Sequence, residues 1–185
     1  DGKYGDLIGY NFRMTEIEAA IANTQLSRLK SLMEQRSENV KFFEEEFANL
    51  DYLIMPKIRD SCEHCYYVHA IKLEANEISN KVFATALREE LPPFELREKE
   101  GAKISGGYVA PLYRIPLFTS ERGNNTMAKQ TLKLAKQDFT TSLCPVTEKL
   151  HNEILVTHEF IVPSMTKQDI KDVKHAFEKV WENRH

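Results

Sequence analysis

Few residues in this chain stand where types and spacing suggest chemistry. Gly9-Tyr10-Asn11-Phe12-Arg13 sets an amide and a guanidinium just ahead of a helix start. These are usual parts of a phosphate site, because both groups hold an anion without titrating near neutral pH and a helix N-terminus offers open N–H groups. The plainer reading is a helix-leading loop with Tyr10 and Phe12 packed inward and Arg13 paired on the surface. Physics alone favours it, since Asn is a common turn residue. Thr15 with Glu18 three positions on is a capping box, each side chain satisfying a backbone N–H of the first turn.

Other candidates are weaker. Cys62, Cys65 and Cys144 are odd in number and mixed in spacing, which is no disulfide framework and fits a reducing cytoplasm. CEHC matches C-x-x-C, but a zinc site needs about four ligands, and only Cys144 and scattered histidines remain. A thioredoxin-like pair should open a helix, whereas this one opens a strand. Structural coincidence is the expectation, with no metal. His158-Glu159 in THEF reads as structural. His64 and His69 flank a strand without an evident carboxylate partner nearby in sequence. The chain has no G-x-G-x-x-G, P-loop, H-E-x-x-H or G-x-S-x-G, so the residues alone yield no complete catalytic set.

The elements that must position these residues follow from periodicity. Ile17, Ala20, Ile21, Leu29, Leu32, Met33, Val40, Phe43 and Phe47 predict a helix from about 15 to 49, weaker at 23–27, where it bends or divides. Residues 51–61 are a connector holding Pro56, and CYYVHAIKL (65–73) is a strand. A helix of roughly 79–90 buries Val82, Phe83, Ala86 and Leu87 and stops at Pro92-Pro93. Residues 94–126 lack a period, and a loop of that length inside a domain is more often functional or partner-bound than idle. A helix over 127–138, a helix start near Pro145 and a short strand in VTHEFIVP come next. The last helix is capped by Thr166 with Asp169, stapled by Met165 on Ile170, and striped by Ile170, Val173, Phe177 and Val180. This order indicates an α/β or α+β layer, with the long first helix set apart.

Composition narrows the class. With 185 residues, 42% apolar and 29% charged, the chain can build a real core under a soluble surface. A net charge of −3 argues against a general nucleic-acid binder, and no apolar run approaches the ~20 residues that span a bilayer. The start shows neither a secretory pattern nor an initiator Met, so a trimmed chain or a piece of a longer one is expected.

GYNFRMTEIEAAIANTQLSRLKSLMEQRSENVKFF closely resembles the G-Y-N-[YF]-R-[ML]-[ST]-E-[IL]-x-A-A signature of the DegT/DnrJ/EryC1/StrS family, sugar aminotransferases dependent on pyridoxal phosphate (PLP). The likeness continues through CYYVHAIKL, YVAPLYRIPLF, LCPVTEKLHNEIL and VPSMTKQDIKDVKHAFEKV, nearly the whole chain in family order. GYNFRMTE is its specific part.

The resemblance implies an α/β (α+β) fold, the C-terminal half of a fold-type I PLP enzyme. Residues 1–50 would be the end of the large domain and a long interdomain helix, and residues 51–185 the small C-terminal domain. It implies amino transfer from glutamate to a nucleotide-linked keto sugar, for surface polysaccharide or amino-sugar synthesis, by a cytoplasmic homodimer with shared active sites. Asn11 matches the family asparagine that reaches the PLP phosphate of the other subunit, and Arg13 the neighbouring arginine. Tyr113 and Tyr67 stand where many members carry a histidine near the substrate. The Schiff-base lysine, the aspartate at the pyridine nitrogen and the ring-stacking aromatic belong to the missing N-terminal half, since Lys3 lies too close to the motif. By itself the chain is expected to be inactive and without PLP. The corresponding part of a PLP-dependent sugar dehydratase, or a non-catalytic dimerisation or binding module derived from the fold, is the alternative. No nucleic acid or membrane partner is implied.

Overall fold

Thr15 starts the first helix as its sequence requires. Its Oγ1 accepts from the Glu18 N–H at 3.2 Å, and Glu18 Oε2 accepts from the Thr15 N–H at 2.6 Å. These contacts come from a computed structural model that describes residues 13–74, 77–92, 102–119, 138–139 and 141–185. Helix α1 (Glu16–Glu46) is continuous, where the sequence suggested a bend or a division at 23–27. The polar residues there do not break it, because Thr24 and Ser27 turn their hydroxyls back onto the carbonyls of Ala20 and Thr24, at 3.1 and 2.7 Å.

Four short strands form one antiparallel sheet in the order β1-β2-β4-β3: β1 (Leu53–Ile54), β2 (His69–Leu73), β3 (Ile104–Gly106) and β4 (Leu155–His158). β1 lies inside what sequence read as a connector, and β3 inside the aperiodic stretch. Two and three residues are too few to show a period. The expected strand over 65–73 begins only at His69, so CEHC does not open a strand. Ser61 (φ 65°) and Tyr66 (φ 48°) stand in left-handed backbone, which interrupts an extended run.

β2 alternates buried and exposed, so His69, Ile71 and Leu73 face the core. Three helices supply the rest of that core: the end of α1, α2 (Asn80–Glu90) and α5 (Lys167–Glu182). Phe43 stacks on Phe47 at 3.8 Å, and Phe177 meets Phe47 and Phe83 edge-on at 5.2 and 5.5 Å. Tyr52 stacks on Trp181 at 4.0 Å, which ties the α1–β1 turn to α5. On α2 the buried face is Asn80, Phe83, Ala84 and Leu87, while Val82, expected inside, is 58% exposed. The stripe i, i+3, i+4, i+7 runs from Asn80 rather than from Val82. Asn80 explains that choice: its Nδ2 donates to Leu155 O (2.8 Å) and His151 O (3.1 Å), pinning the start of α2 behind β4.

The α5 capping box forms as expected, with Thr166 N–H donating to Asp169 Oδ2 at 2.7 Å and Asp169 N–H to Thr166 Oγ1 at 3.2 Å. Met165 and Ile170 are both buried beside it. Residues 111–119 hold a 3-10 turn (Leu112–Arg114) and a short α3 (Pro116–Thr119). Pro145 opens α4 (Pro145–Lys149), which runs into a π turn (Leu150–Ile154) before β4. The helix expected over 127–138 lies outside the described residues, apart from Asp138. No helix among the described residues is long and apolar enough to cross a membrane.

Candidate functional site

The residues singled out by sequence fall in three places. Asn11 lies outside the described residues. Arg13 is exposed at the N-terminal end of α1, two residues ahead of the Thr15 cap. The N–H groups of Glu16 and Ile17 make no hydrogen bond among the described residues, so the helix start beside Arg13 keeps open donors. Residues 13–31 are exposed without interruption, including Ile17 at 74% and Leu29 at 49%. The apolar positions read from sequence enter the core only from Val40 onward.

Tyr67 stands in the loop before β2 with 77% of its surface exposed. Tyr113, in the 3-10 turn, is instead buried, and its hydroxyl donates to Glu148 Oε1 on α4. No hydrogen bond or ion pair among the described residues joins Arg13, Tyr67 and Tyr113 to one another.

Glu148, which sequence reasoning passed over, is a hub. Besides Tyr113 it accepts from Ser142 Oγ (2.7 Å) and the Leu143 N–H (3.2 Å), and Arg114 Nη2 stands 3.8 Å away. One carboxylate thus joins the 111–119 segment to α4. No short motif announces this, because its partners come from 34 and 35 positions away as well as from the residues just before α4. The π turn that follows presents His151, whose Nδ1 accepts from the Tyr108 N–H at 3.3 Å. Burial, and then the charge of Lys81, hold His151 below the usual imidazole value. Gly107 makes this approach possible: at φ 79° it stands where a Cβ would lie 2.6 Å from His151 O.

Cys62 and Cys65 are exposed free thiols, and no described group of three His, Cys, Asp or Glu could hold a metal. His64 is engaged in its own turn, accepting from the Tyr66 N–H at 2.7 Å. His69 has a carboxylate within reach, though not one nearby in sequence. Glu44 of α1 lies 3.5 Å from its Nε2, and no local pattern shows it because the two stand 25 positions apart.

Comparison with known proteins places this geometry in a family. A protein of Methanocaldococcus jannaschii without an assigned function is 29% identical over 177 residues, covering 95% of this chain and 39% of its own length. The L-glutamine:2-deoxy-scyllo-inosose aminotransferase of Micromonospora echinospora is 26% identical, covering 96% of this chain and 40% of its own length. This chain therefore spans about two fifths of those curated relatives. Among solved structures, an aminotransferase from Psychrobacter cryohalolentis superposes with a TM-score of 0.66 at 20% identity, over 96% of this chain and 41% of that one. A Streptococcus pneumoniae protein assigned as a sugar aminotransferase, solved in PLP and PMP forms, superposes with a TM-score of 0.60, over 94% of this chain and 37% and 36% of those chains, at 16% and 17% identity. These superpositions establish the fold, and the sequence profile matched along residues 1–178 establishes more: the chain belongs to the DegT/DnrJ/EryC1/StrS aminotransferase family.

Proposed function

We propose that this chain is the C-terminal portion of a PLP-dependent aminotransferase and supplies one side of an active site shared between two subunits. The reaction moves an amino group from glutamate to a nucleotide-linked keto sugar, in surface-polysaccharide or amino-sugar synthesis in the cytoplasm. The observation that carries this reading is the free end of α1. Helix α1 begins 24 residues before Val40, about 36 Å at a rise of 1.5 Å per residue, Arg13 stands three residues further out, and residues 13–31 are all exposed. A guanidinium on a rigid rod that far from its own core is placed to serve a site on a second body. In this reading residues 1–50 end the large domain and form the interdomain helix, and residues 51–185 form the small domain. The name of a Campylobacter jejuni relative, a UDP-4-amino-4,6-dideoxy-N-acetyl-beta-L-altrosamine transaminase 34% identical over 62 residues, supports a nucleotide-linked sugar, whereas that of the Micromonospora relative supports amino transfer to a cyclic ketone from glutamine.

The donors present suit a phosphate. Arg13 brings a fixed charge with a planar fork, beside the open N–H groups of Glu16 and Ile17, and Asn11 adds an amide. Asn11 and Arg13 would hold the PLP phosphate, and PLP when bound supplies the electron sink for amino transfer. Tyr67, with an exposed phenol, offers the substrate a hydroxyl. Tyr113 offers its ring, because its own hydroxyl is committed to Glu148.

The test is PLP affinity in the full-length protein and in its Asn11→Ala and Arg13→Ala variants, followed by absorbance. Loss of a hydrogen bond to a charged group, about 1.5–3 kcal/mol, predicts roughly 10- to 100-fold weaker retention with little loss of folding. Unchanged affinity in both variants refutes the assignment.

A further inference from the structure

Two core histidines take no part in the site just described. His69 on β2 and His158 on β4 are 0% and 1% exposed, and they face each other across the sheet with His69 Nδ1 3.1 Å from His158 Nε2. Phe43 of α1 stacks on His158 at 4.7 Å and meets His69 edge-on at 5.3 Å. A polar pair inside an aromatic cage is stable only when its hydrogen bonds are made.

One placement of protons satisfies the Phe160–His158 and His158–His69 contacts together. The Phe160 N–H donates to His158 Nδ1 at 3.2 Å, so that nitrogen is an acceptor and the neutral ring carries its proton on Nε2. This N–H donates to His69 Nδ1. The proton of His69 then sits on Nε2 and points at Glu44 Oε1, 3.5 Å away on α1. Neither His69 Nε2 nor Glu44 Oε1 has a hydrogen-bond partner among the described residues, so each is the nearest recourse of the other.

We propose that the series Phe160–His158–His69–Glu44 is a proton-sensitive latch that holds the end of α1 on the sheet and opens in acid. In both rings the acceptor nitrogen already faces an N–H. A proton added at His158 Nδ1 meets the Phe160 amide, and one added at His69 Nδ1 meets the His158 N–H. Either addition breaks a link, and at His158 it also puts a charge in a fully buried ring. The Phe160 turn also receives α1 through Asn39, whose Nδ2 donates to Val162 O (2.9 Å) and Met165 O (3.3 Å), so displacement there reaches the helix twice.

The titratable and charged groups around the pair come from several elements. From α1 comes Glu44, and from the loop before β2 the phenol of Tyr66, raised by burial and then by Glu44. Arg88 of α2 is bonded to Ile104 O, and Lys103 and Glu159 line a shallow depression together with His158. α5 presents only the Phe177 ring, at 6.5 Å. Burial, with His69 beside it, holds His158 well below the usual imidazole range. The unfolded chain binds this proton near pH 6.5 and the folded chain does not. The stabilisation is therefore complete above that value and lost as pH falls below it, by up to tenfold in the folding equilibrium per pH unit.

The latch does not depend on the proposed reaction, and its test needs no substrate. Long-range ¹H–¹⁵N spectra of the full chain at pH 7 should show His69 and His158 both protonated on Nε2 with Nδ1 bare. A proton on Nδ1 of His158 overturns the wiring. His158→Gln retains an acceptor and a donor without the titration. Urea unfolding from pH 7.5 to 5 should then show a steeper loss in the wild type, approaching tenfold per pH unit, and parallel profiles overturn the proposal. Should the variant fail to fold, hydrogen exchange of the wild type decides. After correction for intrinsic rates, residues 36–46 should lose protection at pH 5 more than tenfold beyond α2, and an equal change in both elements is the contrary result.

Discussion

Removing the Glu148 carboxylate tests whether the 111–119 segment is held as the structure shows. In Glu148→Ala the buried Tyr113 hydroxyl and the Leu143 N–H lose their acceptor. A hydrogen bond to a charged group is worth about 1.5–3 kcal/mol, and an orphaned buried donor costs a similar amount. Arg114 adds little, because it is 39% exposed and 3.8 Å away, where solvent screens the pair to a few tenths of a kcal/mol. Ser142 is exposed and turns to water. The substitution should therefore cost about 2–3 kcal/mol. Tyr113→Phe, which removes only the phenolic oxygen and leaves Glu148 its other donors, should cost about 1–2 kcal/mol. In the double variant the hydroxyl loss should cost almost nothing further, a coupling of about 1–2 kcal/mol. Urea unfolding followed by the single tryptophan, Trp181, which stacks on Tyr52 in the core, measures the cycle. Amide exchange over residues 111–119 reports whether the segment loosens before the core. Additive single effects, with coupling below about 0.3 kcal/mol, would falsify the hub.

Two further substitutions probe the frame. Gly106→Ala puts a Cβ 2.5 Å from Lys81 N and 2.6 Å from Asn80 O, so β3 and α2 must part by most of an ångström. The expected cost is about 2 kcal/mol, a melting point lower by roughly 4–8 °C, and an unchanged melting point would show that β3 does not lie so close to α2. Thr166→Ala removes the cap of α5 and should cost about 1 kcal/mol, or roughly 2–4 °C, whereas Thr166→Ser should recover most of it. Equal losses in both variants would locate the effect in the methyl group instead of the hydroxyl.

Local chemistry explains which elements were legible. The capping boxes at Thr15 and Thr166 act within one turn, so their residues sit side by side in sequence and α1 and α5 start where they say. Long-range pairing explains the misses. β1 and β3 are strands because β2 and β4 bind them, and neither carries enough residues to show alternation. Val82 was expected on the buried face of α2, but Asn80 found its carbonyls behind β4 and set the rotation of the helix.

The candidate site divides the same way. Asn11 and Arg13 were expected from a contiguous motif, whose chemistry lies in neighbouring residues, and Tyr113 and Tyr67 only from the likeness of later segments to a family. Glu148 and the His69–His158–Glu44 series could not be found so, because each joins partners from separate elements. By itself the sequence determined the starts of α1 and α5, the apolar stripe of α5 and the family, the first two being products of interactions a few residues long. Only the tertiary structure decided the strand order, the direction of each buried polar group and the bare first half of α1, because burial is a property of the assembled chain.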